Sequence, residues 1–288
     1  MTTYLVTGAN GQLGHLAVEA LLKTVPAANV AALVRSAEKG AELKALGVDV
    51  RIGDYDKPET LEAAFKGIDR LLLVSSSQVG KRKVQHGNAI AAAKRAGVGL
   101  VAYTSLLHAD AKLLKILSDE HNATEAALAG SGIPYVLLRN GWYTENLVQS
   151  LPHAIESGVY ASAAGDGRFA TATRADYAAA AAAVLTGAEI KPGTIYELAG
   201  DEAFTLTDFV AEAARQAEKP ITYTSLPEAD YRAALVAAGL PAPVADMLAD
   251  SDTGAANGGL FDDSHTLSKL IGRPTTPYAE TIAAALKA

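Results

Sequence analysis

A chain of 288 residues with a formal charge of −7 has room for one large α/β domain and a smaller appended lobe. Hydrophobic residues make up 49% of it, enough for a substantial core without metal or disulfide staples. There is no cysteine, which excludes thiol catalysis, zinc–thiolate sites and disulfides and fits a reducing, cytoplasmic setting. The acidic residues are dispersed, so no bulk attraction to nucleic acid or an anionic membrane is expected. Met1, Thr2 and Thr3 lead straight into the apolar Tyr4–Val6, without the basic start and cleavage site of a secretory signal. The alanine-rich run from Ala178 to Leu185 is far too short to cross a bilayer and reads as a tightly packed helix.

In chain order, strands are predicted at Tyr4–Thr7, Val30–Val34, Val48–Ile52, Arg70–Ser75, Leu100–Thr104 and Tyr135–Leu138. Most are apolar on both faces, the pattern of a parallel sheet covered by helices on both sides. Helical segments such as Pro58–Phe65 and Gln85–Ala96 lie between them. Gly47, Gly67, Gly97 and Gly132 mark helix ends, each just before a new strand. Repeated strand–helix–strand units imply right-handed crossovers and a Rossmann-type doubly wound sheet. After Ser150 the rhythm loosens: Gly165-Asp166-Gly167 forms a turn, a helix starts near Arg174, and Thr194–Leu198 returns to the main sheet. Beyond Asp201 the chain reads as mainly helical, with a short strand near Ile221–Thr224, a loop from Asp252 to Gly259 and a last break at Gly272-Arg273-Pro274. The expected organisation is a nucleotide-binding domain over 1–150, to which 170–200 returns, and a smaller substrate-side lobe over 201–288 with 151–169.

The chemistry starts at Gly8-Ala9-Asn10-Gly11-Gln12-Leu13-Gly14, directly after the first strand and opening a helix. Three glycines there let backbone approach a pyrophosphate, and the helix N-terminus supplies unpaired N–H groups and partial positive charge. Leu13, Leu16, Ala17, Ala20 and Leu21 follow helical spacing and lay the helix on the sheet. An NAD enzyme places an acidic residue at the end of the second strand; here Arg35 stands in that position, with Lys39 one turn on. A guanidinium suits a 2′-phosphate, which favours NADP, the plainer alternative being a solvated strand end. Asp54 follows the third strand and fits either a contact to the adenine amine or an ordinary turn.

The reacting end is sought at the carboxyl ends of the later strands. Ser75, Ser76 and Ser77 end the fourth strand and are suited to lining the nicotinamide ribose. Tyr103-Thr104-Ser105-Leu106-Leu107-His108 ends the fifth; Asn140-Gly141-Trp142-Tyr143-Thr144-Glu145 ends the sixth. Tyr103, Trp142 and Tyr143 offer flat faces to a planar substrate, or else wedge the two lobes together. The Tyr-x-x-x-Lys pair of ordinary short-chain dehydrogenases is absent. His121 is a candidate proton donor, although a lone helical histidine is more often a packing residue. No histidine spacing suits a metal.

These stretches resemble the NmrA-like branch of atypical short-chain dehydrogenases/reductases. The likeness lies in Thr7-Gly8-Ala9-Asn10-Gly11-Gln12-Leu13-Gly14-His15, Tyr103 to Asp110, Leu138 to Tyr143, Ala172 to Tyr177 and Ala245 to Asp252, and it covers nearly the whole chain. Within that branch the chain is similar to bacterial NADPH:quinone oxidoreductases of type 2, with triphenylmethane dye reductases as nearer cousins than the regulators. The resemblance implies NADPH held by Gly8–Leu13, Arg35, Ser75–Ser77 and Asn140–Glu145, and hydride transfer to a quinone. A quinone is already electrophilic and its reduced oxyanion is stable, so orientation can replace the missing Tyr–Lys pair. The segment from Ala111 to Ser118 is slightly longer than the family pattern, which bears on substrate preference. Two other readings stand beside this one: a non-catalytic NADP(H)-sensing regulator, and a reductase of another planar acceptor such as a dye. Oligomeric state is left open, a homo-oligomer included.

Overall fold

The computed structural model describes residues 1–188 and 190–287. The chain divides into two compact units. Unit 1 comprises Met1–Ser105, Glu120–Arg139 and Arg174–Tyr196; unit 2 comprises Leu106–Asp119, Asn140–Thr173 and Glu197–Ala288. Unit 2 thus takes in 106–119 and 140–150, segments that the sequence rhythm assigns to the first domain. These lie where the fifth and sixth strands run out and the regular alternation lapses.

The elements run β1 (Tyr4–Val6), α1 (Gln12–Leu22), β2 (Val30–Val34), α2 (Ala41–Ala45), β3 (Asp49–Ile52), α3 (Leu61–Phe65), β4 (Arg70–Leu73), α4 (Arg82–Ala96), β5 (Leu100–Leu106), α5 (Lys115–Ser131) and β6 (Tyr135–Asn140). They continue with α6 (Thr144–Val148), α7 (Leu151–Ser157), β7 (Val159–Ser162), β8 (Arg168–Phe169), α8 (Arg174–Thr186) and β9 (Ile195–Leu198). The rest is β10 (Phe204–Thr205), α9 (Leu206–Ala217), β11 (Thr222–Ser225), α10 (Glu228–Ala237), α11 (Ala242–Ala256), α12 (Thr266–Ile271) and α13 (Tyr278–Ala285).

Seven strands form one sheet in the order β3-β2-β1-β4-β5-β6-β9. The pairs β1–β2, β1–β4, β2–β3 and β4–β5 are parallel, with Leu5 opposite both Ala31 and Leu71. Strand order reverses between β1 and β4, the switch point at which such sheets bind ligands. Alternate residues serve opposite faces. Leu5, Leu33, Leu71, Leu73, Val101, Tyr103 and Leu137 pack with Phe65 of α3, Ile90 and Ala93 of α4 and Leu128 of α5. On the other face α1 lies against β1 and β2, α8 lies against β4, and the two helices pack on each other. The alanines from Ala178 to Ala182 are what allow that close approach, and four of the five are fully or nearly fully buried. Gly97 ends α4 in the left-handed region (φ +75°), its N–H returning to the helix, and hands the chain to β5.

Unit 2 is built on smaller pieces. Strands β7 and β11 pair in parallel, and β8 and β10 pair antiparallel. Phe204 stacks between Phe169, Phe209 and Tyr278, and Tyr160 meets Phe209 edge-on. Thr205 and Asp208 close a reciprocal capping box at the start of α9. The loop expected from Asp252 is a correction: α11 continues through Ala256. Gly254 sits within that helix because any side chain would bring its Cβ within 2.8 Å of the Leu113 carbonyl and of Leu114, so the position calls for glycine. Among the described residues no helix is long and apolar enough to cross a membrane.

Candidate functional site

In unit 1 the turn after β1 is shaped by backbone. Gly8 has φ +57° and its carbonyl accepts from Gly11 N–H at 2.9 Å. A Cβ on Gly14 would sit 2.3 Å from that same carbonyl and 2.9 Å from Ala9 Cα, so α1 meets the turn with no space for a side chain. Helix α1 starts at Gly11 without a side-chain cap, which leaves the first-turn amides as donors for an anion. Gly8, Asn10, Gly11 and Gln12 are exposed; Ala9 and Leu13 are buried in the core and can reach a ligand only through backbone. This arrangement fits a dinucleotide pyrophosphate.

Arg35 is exposed one residue beyond β2, and Lys39 is exposed one helical turn on. Asp54 takes the turn role: its Oδ1 accepts from Asp56 N–H at 3.1 Å, and its own N–H donates to Thr60 Oγ1 at 3.0 Å. Thr7, just ahead of the turn, is a residue that sequence reasoning missed. Its Oγ1 donates to the Leu72 carbonyl and accepts from Tyr55 Oη at 2.6 Å and Val74 N–H at 2.9 Å, tying β1 to the exit of β4. The next residue, Ser75, donates its N–H to Thr104 Oγ1 at 2.8 Å. Ser75 and Ser76 are half-buried and Ser77 is exposed.

Tyr103 and His121 call for a correction. Tyr103 is fully buried, its ring edge-on to His86 with centroids 5.5 Å apart and its hydroxyl 2.7 Å from His121 Nδ1. Strand alternation places it on the helix-covered face with Val101, so its ring does not face an open surface. Burial raises its pKa above the ordinary phenol range. His121 is also buried, and desolvation, then Arg82 and His86, hold its pKa well below the ordinary imidazole range. It is a neutral packing histidine bonded to Tyr103. A second buried group went unread: Arg139 meets Glu125 through two bonds, Nε to Oε1 at 3.0 Å and Nη2 to Oε2 at 2.8 Å, while Ser105 Oγ donates to Oε1 at 2.5 Å.

In unit 2 the segment after β6 is stitched on both sides. Gly141 N–H donates to the Leu198 carbonyl at 2.8 Å, Ala172 N–H to the Trp142 carbonyl, and Thr144 N–H to the Ala172 carbonyl at 3.0 Å. Thr144 is buried with its hydroxyl 2.9 Å from that of Thr171, which gives it a structural role. Asn140 is buried and its Oδ1 has no hydrogen-bond partner among the described residues. Trp142, Tyr143 and Glu145 are half-exposed. Among the described residues no cluster of three or more His, Cys, Asp or Glu could hold a metal ion.

A family model described as NAD(P)H-binding matches residues 8–188. Quinone oxidoreductase 2 of Escherichia coli (strain K12) is 58% identical over 277 residues, 96% of this chain and 96% of that protein. The crystal structure of an Escherichia coli NADPH-dependent quinone oxidoreductase complexed with NADPH superposes with a TM-score of 0.95 at 56% identity, covering 98% of this chain and 99% of that one. Citrobacter sp. triphenylmethane reductase complexed with NADP(H) gives a TM-score of 0.92 at 37% identity, covering 98% and 100%.

Proposed function

The chain belongs to the NAD(P)H-binding family, and from that premise we propose that it is an oxidoreductase passing a hydride from NADPH to a quinone. The observation that carries this reading is the end-to-end identity of 58% with quinone oxidoreductase 2. NADPH supplies the hydride when bound. The first-turn amides of α1 hold its pyrophosphate, and Arg35, helped by Lys39, pairs with the 2′-phosphate. In unit 1, Ser75–Ser77 borders the nicotinamide ribose; in unit 2, the Asn140–Glu145 segment carries the further cofactor contacts that the resemblance implies, Thr144 holding it in place, and Trp142 and Tyr143 offer faces to a flat acceptor. No side chain has to hand over a proton, because a reduced quinone is a stable oxyanion that takes its proton from water. The partner is a small molecule, and a cytoplasmic location is proposed with it.

The test is oxidation of NADPH by purified protein with a simple benzoquinone, followed by nicotinamide absorbance. Turnover above the protein-free rate is expected. In Arg35→Ala, KM for NADPH rises about 10- to 100-fold, the worth of a charge-assisted bond, while KM for NADH stays unchanged. Tight NADP(H) binding without turnover overturns the reading in favour of a sensor. The 37% identity to triphenylmethane reductase supports a second acceptor class, cationic dyes, to be run in the same panel.

A further inference from the structure

Ser76 is held at both of its backbone polar groups. Its N–H donates to His86 Nε2 at 2.9 Å, and its carbonyl accepts from Arg82 Nε at 2.6 Å. Arg82 and His86 stand four residues apart on α4, so one face of that helix supplies both contacts. The bond from Ser76 settles the imidazole tautomer. Nε2 is the acceptor, so Nδ1 carries the proton and donates to Thr124 Oγ1 at 2.9 Å; the Thr124 hydroxyl in turn donates to the Glu120 carbonyl at 3.0 Å. Glu120 secures the far end of the same segment. Its Oε1 accepts from Gly80 N–H at 2.9 Å and Arg82 N–H at 3.2 Å, and its Oε2 lies 3.6 Å from Arg82 Nη1.

All four anchoring side chains are buried, which is costly for a guanidinium, a carboxylate and an imidazole. An apolar set would fill the space with less desolvation and would fix no peptide group. Burial, then the charge of Arg82, pushes the His86 imidazole down to about 3, so it stays neutral and keeps its accepting nitrogen. We propose that His86, together with Arg82, is a positioning residue for hydride transfer, fixing the Ser75–Ser77 strand end against the nicotinamide half of the cofactor. The proposal rests on the reading that this strand end borders the nicotinamide ribose.

The experiment compares steady-state turnover of NADPH and benzoquinone with binding of adenosine 2′,5′-bisphosphate, which lacks the nicotinamide half. In His86→Leu, kcat falls by about tenfold or more, as expected of a displaced reacting group, while bisphosphate affinity stays within about twofold. In His86→Gln, whose amide can accept from Ser76 and donate to Thr124, kcat returns to within about threefold of the parent. The proposal is overturned if His86→Leu keeps its kcat, if NADPH and bisphosphate binding are lost in parallel, or if the Gln variant is as impaired as the Leu one. Thr124→Val, nearly isosteric, covers the case in which His86→Leu does not fold. It should lower kcat about threefold with bisphosphate binding intact, and an unchanged kcat counts against the proposal. The double variant Ser75→Ala/Ser77→Ala separates the two layers. If it leaves kcat and KM unchanged, the reading of the strand end fails and takes the proposal with it. If it is impaired while the His86 variants are not, only the positioning role fails.

Discussion

In unit 1 the carboxylate of Glu125, largely but not fully buried, meets the buried guanidinium of Arg139, which is bonded to both of its oxygens. In unit 2 the carboxylate of Asp252 is half-buried among hydroxyls and a backbone amide: Ser162 Oγ at 2.5 Å, Ala163 N–H at 3.2 Å and the Tyr231 hydroxyl. The first arrangement neutralises charge with charge. The second leaves the carboxyl to bear the cost of burial, which pushes its pKa up to about 6. The two sites therefore respond to different stresses: the Glu125–Arg139 pair to loss of one partner, and Asp252 to a rise in pH.

The largest expected effect probes the tight backbone of unit 1. In Gly14→Val the new side chain meets the Gly8 carbonyl, α1 shifts off the turn, and NADPH affinity drops by about hundredfold or more in a fluorescence titration. Affinity kept within tenfold would show a turn that yields to a side chain. Next in size, Glu125→Ala breaks the two-bond ion pair with Arg139 in a largely buried place and costs about 3–5 kcal/mol in denaturant unfolding. A cost below about 1 kcal/mol would mean that the pair behaves like a surface bridge, and the contrast with Asp252 would collapse. The smallest effect belongs to unit 2. Asp252 binds its proton more tightly when folded, with its pKa near 6 instead of 3.8, so its ionisation removes stability as pH climbs from about 4 to above 6. Asp252→Asn should therefore match the parent near pH 3 and exceed it by about 1–3 kcal/mol at pH 8. A gain independent of pH would sharpen the comparison differently, by assigning it to packing.

Strands β1, β2, β4, β5 and β6 were legible because each carries an apolar run closed off by turn residues, and because left-handed glycines such as Gly47, Gly67, Gly97 and Gly132 announce the helix ends; β3, Asp49–Ile52, alternates charged and apolar residues instead. The phosphate turn was legible for the same kind of reason, since its glycines answer to backbone. The face of a strand was harder to read. Where both faces of a parallel sheet are apolar, alternation cannot tell which side Tyr103 takes, and it takes the side of α4 and α5. Arg82, Gln85 and His86 escaped notice because hydropathy assigns such residues to a solvated face, whereas here they form part of the buried face of α4. The span from Asp252 to Ala256 misled in the opposite sense. Its glycine signals a break in sequence, while in the fold it makes room for the Leu113 carbonyl beside a continuing helix.

The place of β1 has a consequence for how the chain comes into being. Tyr4–Val6 lies mid-sheet, with β2 on one side and β4 on the other, so it is synthesised before either partner. Its second edge stays open until Arg70–Leu73 has been made, and the phosphate turn, which hangs on that strand, cannot settle sooner. Pairing across more than sixty residues of sequence is slow compared with hairpin closure. A translating chain therefore exposes three apolar residues of β1 through that interval, and this is the stretch that chaperones and aggregation would compete for.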